Sequence, residues 1–265
     1  MPASLMLDVQ LLLVAMALVT PRAFVCLVIL PSFSFRTLTG IARNAVAIAI
    51  ALPAMLPTYA FLQKTPPDHF IAAMLIMKES ALGLMLGVLM SIPMWVAQSV
   101  GSILDTQRSP IQLQPNNASF DQDASATGTI LLQALVMVLI EAGLFFALAR
   151  IIIESYGVWP AFSLMPPFEA GHADVLIKRF GEFFWYVAVY GGPVLIPLLF
   201  VDFAFAMIGV FASNLQVSFA SSPIKSLAGL FILLVYWQTF AHYTAGDFAH
   251  LLDLIASLMD AHSKR

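Results

Sequence analysis

Polar and apolar positions alternate along this chain on the scale of whole segments. Six apolar stretches stand out: Leu5–Leu30, Ile41–Leu62, Phe70–Val100, Ile130–Ile153, Phe183–Ala212 and Val217–Phe240. Each reaches or exceeds the roughly 20 residues that a helix needs to cross hydrocarbon, so the pattern predicts six helices. The third and fifth run well past one bilayer thickness. Prolines interrupt most of them, at Pro21, Pro53, Pro57, Pro93, Pro193, Pro197 and Pro223. A proline beyond the first helical turn removes a hydrogen bond and crowds the turn before it. In lipid, the carbonyl it frees must be satisfied by neighbouring protein. The expectation is an all-α fold of broken or kinked, membrane-associated helices packed inside a larger assembly.

Composition narrows the function. Of the 265 residues, 60% are hydrophobic and 10% charged, with a mean hydropathy of +0.90. Soluble domains carry about 25% charged residues, so a water-exposed globular enzyme is excluded. The net charge of −3 is diffuse, which leaves no basic face for nucleic acid. Cys26 stands alone in an apolar run, so no internal disulfide is expected. The first basic residue is Arg22, whereas a signal peptide carries its charge before the apolar core; the first segment is expected to stay on the protein. No G-x-S-x-G, H-E-x-x-H, P-loop or C-x-x-C run occurs. Asp247, His250 and Asp253 share one helical face, read as solvated and not as a metal site. Neither a catalytic residue nor a cofactor is expected.

Three parts follow from the pattern. Residues 1–181 form a four-segment part that contains the polar loop 105–128 (DTQRSPIQLQPNNASFDQDASATG). Residues 182–240 read as a helical hairpin, and residues 241–265 as an amphipathic tail helix. In the tail, Phe248, Leu251, Leu252, Ile255, Leu258 and Met259 recur at helical spacing opposite an acidic face. An acidic face suits a protein partner better than an anionic lipid surface. Within the linker 154–181, Tyr156, Trp159, Lys178 and Arg179 read as a membrane-interface boundary. With six crossings, the basic residues place both termini on the cytoplasmic side.

Charges inside apolar segments are costly and face protein or water. Arg22, Lys78, Glu79, Asp202 and Lys225 are therefore read as buried charges or subunit contacts, with a simple snorkelling role the other reading for Arg22. Lys78 and Glu79 are sequence neighbours on different helix faces, so they are expected to meet different partners. Gly83 and Gly87 form a G-x-x-x-G pair that lets two helix backbones approach closely. Asp202 lies twelve residues before Asn214 and Lys225 eleven after it. At about 1.5 Å per residue, a hairpin turning near Asn214 brings them to one height, facing each other or a neighbouring subunit. Pro193, Pro197 and Pro223 are expected kinks, although Ser222-Pro223 also fits a helix start.

The runs PVLIPLLFVD (193–202), FASNLQV (211–217), SSPIKSL (221–227), KESALGLMLG (78–87) and WVAQSVGSILDTQR (95–108) resemble the T-type export-apparatus subunit of type III secretion systems, whose flagellar counterpart is FliR. The resemblance implies one copy of the chain in a channel-forming, hetero-oligomeric helical export gate in the bacterial inner membrane. Its implied partners are two smaller membrane subunits, the R and S types, together with the U-type switch subunit and the needle or inner rod. Unfolded secreted proteins would pass through, and membrane lipid would surround it. The resemblance also makes the polar loop a candidate plug, with Gln107, Arg108, Ser109, Pro110, Asn116, Asn117, Phe120 and Asp121 as its residues. Here the chain departs from the family, since Ser109-Pro110 replaces the usual glycine and small residue. The D-x-Q-R run is closer to the injectisome branch. A stand-alone secondary transporter with broken helices is the rival class; it predicts inverted repeats and activity without partners.

Overall fold

A computed structural model describes residues 3–33, 39–108, 125–164, 171–211 and 217–263. The described residues form seven α-helices and one short 3-10 turn. The helices are α1 (Ala3–Ile29), α2 (Gly40–Leu62), α3 (His69–Arg108), α4 (Ala126–Glu141), α5 (Leu144–Val158), α6 (Gly171–Phe211) and α7 (Val217–Ser263), with the turn at Pro31–Phe33. Among the described residues, five helices are long and apolar enough to cross a membrane, or six if the bent pair α4–α5 counts as one span.

The prolines do not end the helices. Pro21 lies inside α1, Pro53 and Pro57 inside α2, Pro93 inside α3, Pro193 and Pro197 inside α6, and Pro223 inside α7. In apolar surroundings, leaving the helix would expose several backbone groups, whereas a proline within it frees a single carbonyl. Buried and half-buried hydroxyls follow the same logic. Thr20, Thr58 and Ser91 donate to the carbonyls of Met16, Ala54 and Gly87, four residues back.

Several boundaries differ from the sequence reading. The fourth apolar segment is not one helix but is broken at Ala142-Gly143. Gly143 has φ +74°, a left-handed conformation that a side chain resists, and its N–H donates to Ile140 O at 2.9 Å. The hairpin and tail expected to part at residue 240 are one uninterrupted helix, α7. Ser222-Pro223 accordingly falls inside a helix and not at its start.

The chain divides into two compact units. The first comprises Met1–Ile92, Ile140–Ile177 and Phe248–Arg265; the second comprises Pro93–Leu139 and Lys178–Asp247. In the first, α1 and α2 pack around Ala15, Leu18, Leu62 and Leu75, with Leu11, Met55 and Tyr59 against them. In the second, Leu104 of α3 meets Val194 and Leu198 of α6, and Ala228, Ile232, Leu233 and Tyr236 of α7 close over them. Rings of Tyr186, Tyr190, Tyr236, Trp237 and Phe240 continue that core along α6 and α7.

Candidate functional site

Glycine spacing on α3 determines where the buried charges meet. A Cβ on Gly83 would collide with the Arg22 carbonyl of α1, and one on Gly87 would lie 3.0 Å from Cys26 O. The residues of each pair are four apart, so the two backbones touch along one stripe of each helix. Glu79 stands one turn before Gly83 on that stripe. The close approach therefore carries the Glu79 carboxylate to the Arg22 guanidinium. Arg22 Nε donates to Glu79 Oε2 and Nη2 to Oε1, both at 2.8 Å. Such a two-pronged pair is the strong form of the interaction.

Helix α5 completes the site. Arg22 Nη1 donates to Ser155 Oγ at 3.0 Å, and Nη2 donates to the Trp159 carbonyl at 2.8 Å. The guanidinium lies 4.3 Å from the centre of the Tyr156 ring, and the Tyr156 hydroxyl donates to Val19 O at 2.9 Å. Lys78 Nζ pairs with Glu79 Oε1 at 2.8 Å. It also donates to the carbonyls of Pro160, Ala161 and Ser163 at 2.9, 3.3 and 2.8 Å. Arg22 and Glu79 are out of contact with solvent. Two cations and one carboxylate leave one positive charge in excess. It sits at the C-terminal end of α5, where unpaired carbonyls and the helix dipole favour a cation.

Arg22 is thus a buried contact and not a snorkelling charge. The expectation that Lys78 and Glu79 would not pair is wrong: the flexible lysine stem sweeps round the helix to a carboxylate already fixed by Arg22. Tyr156 and Trp159, read as part of a membrane-interface boundary, are placed by the structure at this site, the Tyr156 ring against the Arg22 guanidinium and the Trp159 carbonyl accepting from it. The linker that held them is shorter than expected, since α5 continues to Val158 and α6 begins at Gly171. Sequence reasoning missed Ser155, Tyr156 and Trp159 as partners of Arg22. The signal was the register of α5: Leu148, Ile151 and Ile152 are buried, Ser155 and Tyr156 follow Ile151 and Ile152 by one turn, and Trp159 comes four residues after Ser155, just past the helix end.

In the second unit, Lys225 Nζ forms an ion pair with Asp202 Oδ1, so α6 and α7 do bring these two charges together. Lys225 is buried, while the Asp202 side chain is 39% exposed. Tyr190 donates to Asp247 as a further tie between the same helices. Asp247 was read as part of a solvated face, and it is engaged by a tyrosine instead. Pro193 and Pro197 flank the buried Val194 and Leu198 on α6.

The roots of the polar loop are also fixed. Asp105, near the end of α3, accepts from Ser125 Oγ (2.6 Å), Thr127 N–H (2.9 Å) and Thr127 Oγ1 (2.5 Å) at the start of α4. Helix α3 continues to Arg108, so Gln107 and Arg108 are helical. The other expected plug residues, Ser109, Pro110, Asn116, Asn117, Phe120 and Asp121, lie outside the described residues.

The chain is similar to known proteins over most of its length. The family described as "Bacterial export proteins, family 1" matches residues 13–251. The Yop proteins translocation protein T of Yersinia pestis is 31% identical over 97% of this chain and 98% of its own length. The surface presentation of antigens protein SpaR of Salmonella typhimurium is 25% identical over 79% of this chain and 77% of its own. The flagellar biosynthetic protein FliR of Caulobacter vibrioides is 22% identical over 68% of this chain and 70% of its own.

Proposed function

Because this chain belongs to family 1 of the bacterial export proteins, and is with them a multi-pass inner-membrane protein, we propose that it is the T-type subunit of a type III secretion export gate. Its work in this reading is structural: it forms part of the channel through which unfolded proteins leave the cytoplasm. The observation that carries the reading is the end-to-end similarity to a translocation protein. Two smaller membrane subunits, the U-type switch subunit and the needle or inner rod are the partners it implies.

The arrangement of apolar surface supports membership of an assembly. Within its apolar window α3 is 67% buried, whereas α6 is 11% and α7 22% buried. Phe200, Phe203, Phe211, Leu227, Phe231 and Leu234 all face outward from α6 and α7, so lipid or neighbouring helices must cover them. Arg22, Lys78 and Glu79 are satisfied within the chain and act as braces. Asp202, half-exposed on an apolar helix, is the charge we assign to contact with a neighbouring subunit, with Lys225 holding it from behind. The loop 105–128 is assigned as the plug that closes the lumen until a substrate displaces it.

A gene deletion tests the role. Removing this chain should stop secretion through the apparatus, and its return on a plasmid should restore it; continued secretion without it would overturn the reading. Shortening the loop should let purified complex in liposomes release carboxyfluorescein while the complex stays intact. A tight vesicle with an intact complex would remove the plug from the account.

A further inference from the structure

Helix α5 runs antiparallel to α1. Its start lies beside the turn that follows α1, where the Phe145 and Phe33 rings are 5.5 Å apart. Its end lies beside Arg22 and Val19, held by Ser155 Oγ and the Tyr156 hydroxyl. Between these ties Leu148, Ile151 and Ile152 are buried. Positions 145 and 155 thus stand at the levels of residues 33 and 22, which puts position 154 close to the level of residue 23. The apolar span of α1 ends at Ile29. At about 1.5 Å per residue, Glu154 sits roughly 9 Å inside that end.

At this depth the outward face of α5 carries an ion pair. Arg150 Nε donates to Glu154 Oε1 at 2.6 Å, and the two side chains are 77% and 33% exposed. Phe146 and Ile153 are exposed beside them. The outward residues of α1 and α2 are of another kind: Leu12, Leu13, Leu52 and Leu56. An arginine near the end of a span reaches the headgroups by stretching its stem, but the short glutamate stem does not. A carboxylate facing hydrocarbon is costly. A fixed protein surface laid over the pair would strip water from two charges that already satisfy each other. Water covers them without that cost.

We propose that the outward face of α5 lines the water-filled path of the gate, where Phe146, Arg150, Ile153 and Glu154 touch polypeptide in transit. This deepens the channel reading above and rests on it. The pair has no net charge, so it traps neither acidic nor basic segments of a passing chain.

The test uses the assembled complex in inner-membrane vesicles, in a Cys26→Ala background. Single cysteines replace Glu154, Ile153 and, as a reference, Leu56. Leu56 is exposed and lies six residues before the end of α2 at Leu62, a matching depth of about 9 Å. The probe is the charged thiol reagent methanethiosulfonate ethyltrimethylammonium, and mass spectrometry reads the modification. We expect Glu154→Cys and Ile153→Cys to react about tenfold faster than Leu56→Cys, because hydrocarbon excludes the charged probe. A photoreactive benzoylphenylalanine in place of Phe146 should crosslink to a substrate stalled by a fused stable domain. Where deleting the chain stops secretion, equal rates at the three positions overturn the assignment and leave the gate reading standing. Crosslinks from position 146 to a neighbouring subunit, with none to the substrate, do the same. Secretion that persists after deletion overturns the gate reading, and this assignment with it. Should Glu154→Cys fail to assemble, Ile153→Cys, which keeps the ion pair, decides by the same ratio.

Discussion

The carbonyl of Arg22 lies against Gly83 so closely that no Cβ fits between them. This contact sets the distance between α1 and α3, and that distance lets Arg22 and Glu79 meet at 2.8 Å. Packing and charge pairing are therefore one feature of the first unit. Gly83→Ala should force the backbones apart and lengthen the Arg22–Glu79 pair. Overpacking costs about 1–3 kcal/mol, and the strained pair adds to it. Thermal unfolding in detergent should fall clearly for Gly83→Ala and much less for Gly181→Ala, where a Cβ meets nothing within 4 Å.

Charge arithmetic ranks the members of the buried network. Removing Glu79 leaves Arg22 and Lys78 facing each other, whereas removing Arg22 leaves Glu79 still paired with Lys78. Breaking a buried pair from one side costs about 3–5 kcal/mol. Glu79→Gln should reach that range, and Arg22→Gln should fall below it. Chemical denaturation of the two variants, side by side, checks the order.

Lys78 ties the turn after α5 to α3 through the carbonyls of Pro160, Ala161 and Ser163. Lys78→Met keeps most of the apolar stem but loses all three bonds, together with the pair to Glu79. Limited proteolysis should then open a cleavage site at residues 159–164 that the parent protects. An unchanged digest would show that the turn holds without Lys78.

Much of this was legible beforehand, for reasons that lie in particular residues. Apolar segments of spanning length dictate helices, since hydrocarbon leaves the backbone few other ways to satisfy its polar groups. The G-x-x-x-G at Gly83 and Gly87 announces a close helix contact by itself, because only a missing side chain permits one. Asp202 and Lys225 could be matched by counting along a hairpin. The partners of Arg22 could not be counted in this way: Ser155 and Trp159 lie more than 130 residues along the chain, and their own neighbourhood reads as a linker. The break at Gly143 was hidden by apolar residues on both sides, since hydropathy does not register a single left-handed residue.

The pair between α6 and α7 should respond to exchange. Asp202→Lys and Lys225→Asp each put like charges together and should each lower the yield of assembled complex. Made together, they restore an opposite-charge pair at the same height and should recover part of the yield. Pull-down of the tagged chain with its membrane partners measures it.

Tyr190 donates to Asp247 while its ring packs 5.8 Å from Phe240. Tyr190→Phe keeps the ring and removes the donor. A hydrogen bond to a charged acceptor contributes about 1.5–3 kcal/mol, so a measurable loss of thermal stability is expected, with the helical circular dichroism unchanged.

Native mass spectrometry of the chain, extracted in mild detergent from the membranes that make it, bears on the central claim most directly. The account predicts a single particle of fixed mass in which one copy of this chain is joined by two kinds of smaller membrane subunit. A monodisperse lone chain from those membranes, moving a solute across liposomes unaided, would contradict it.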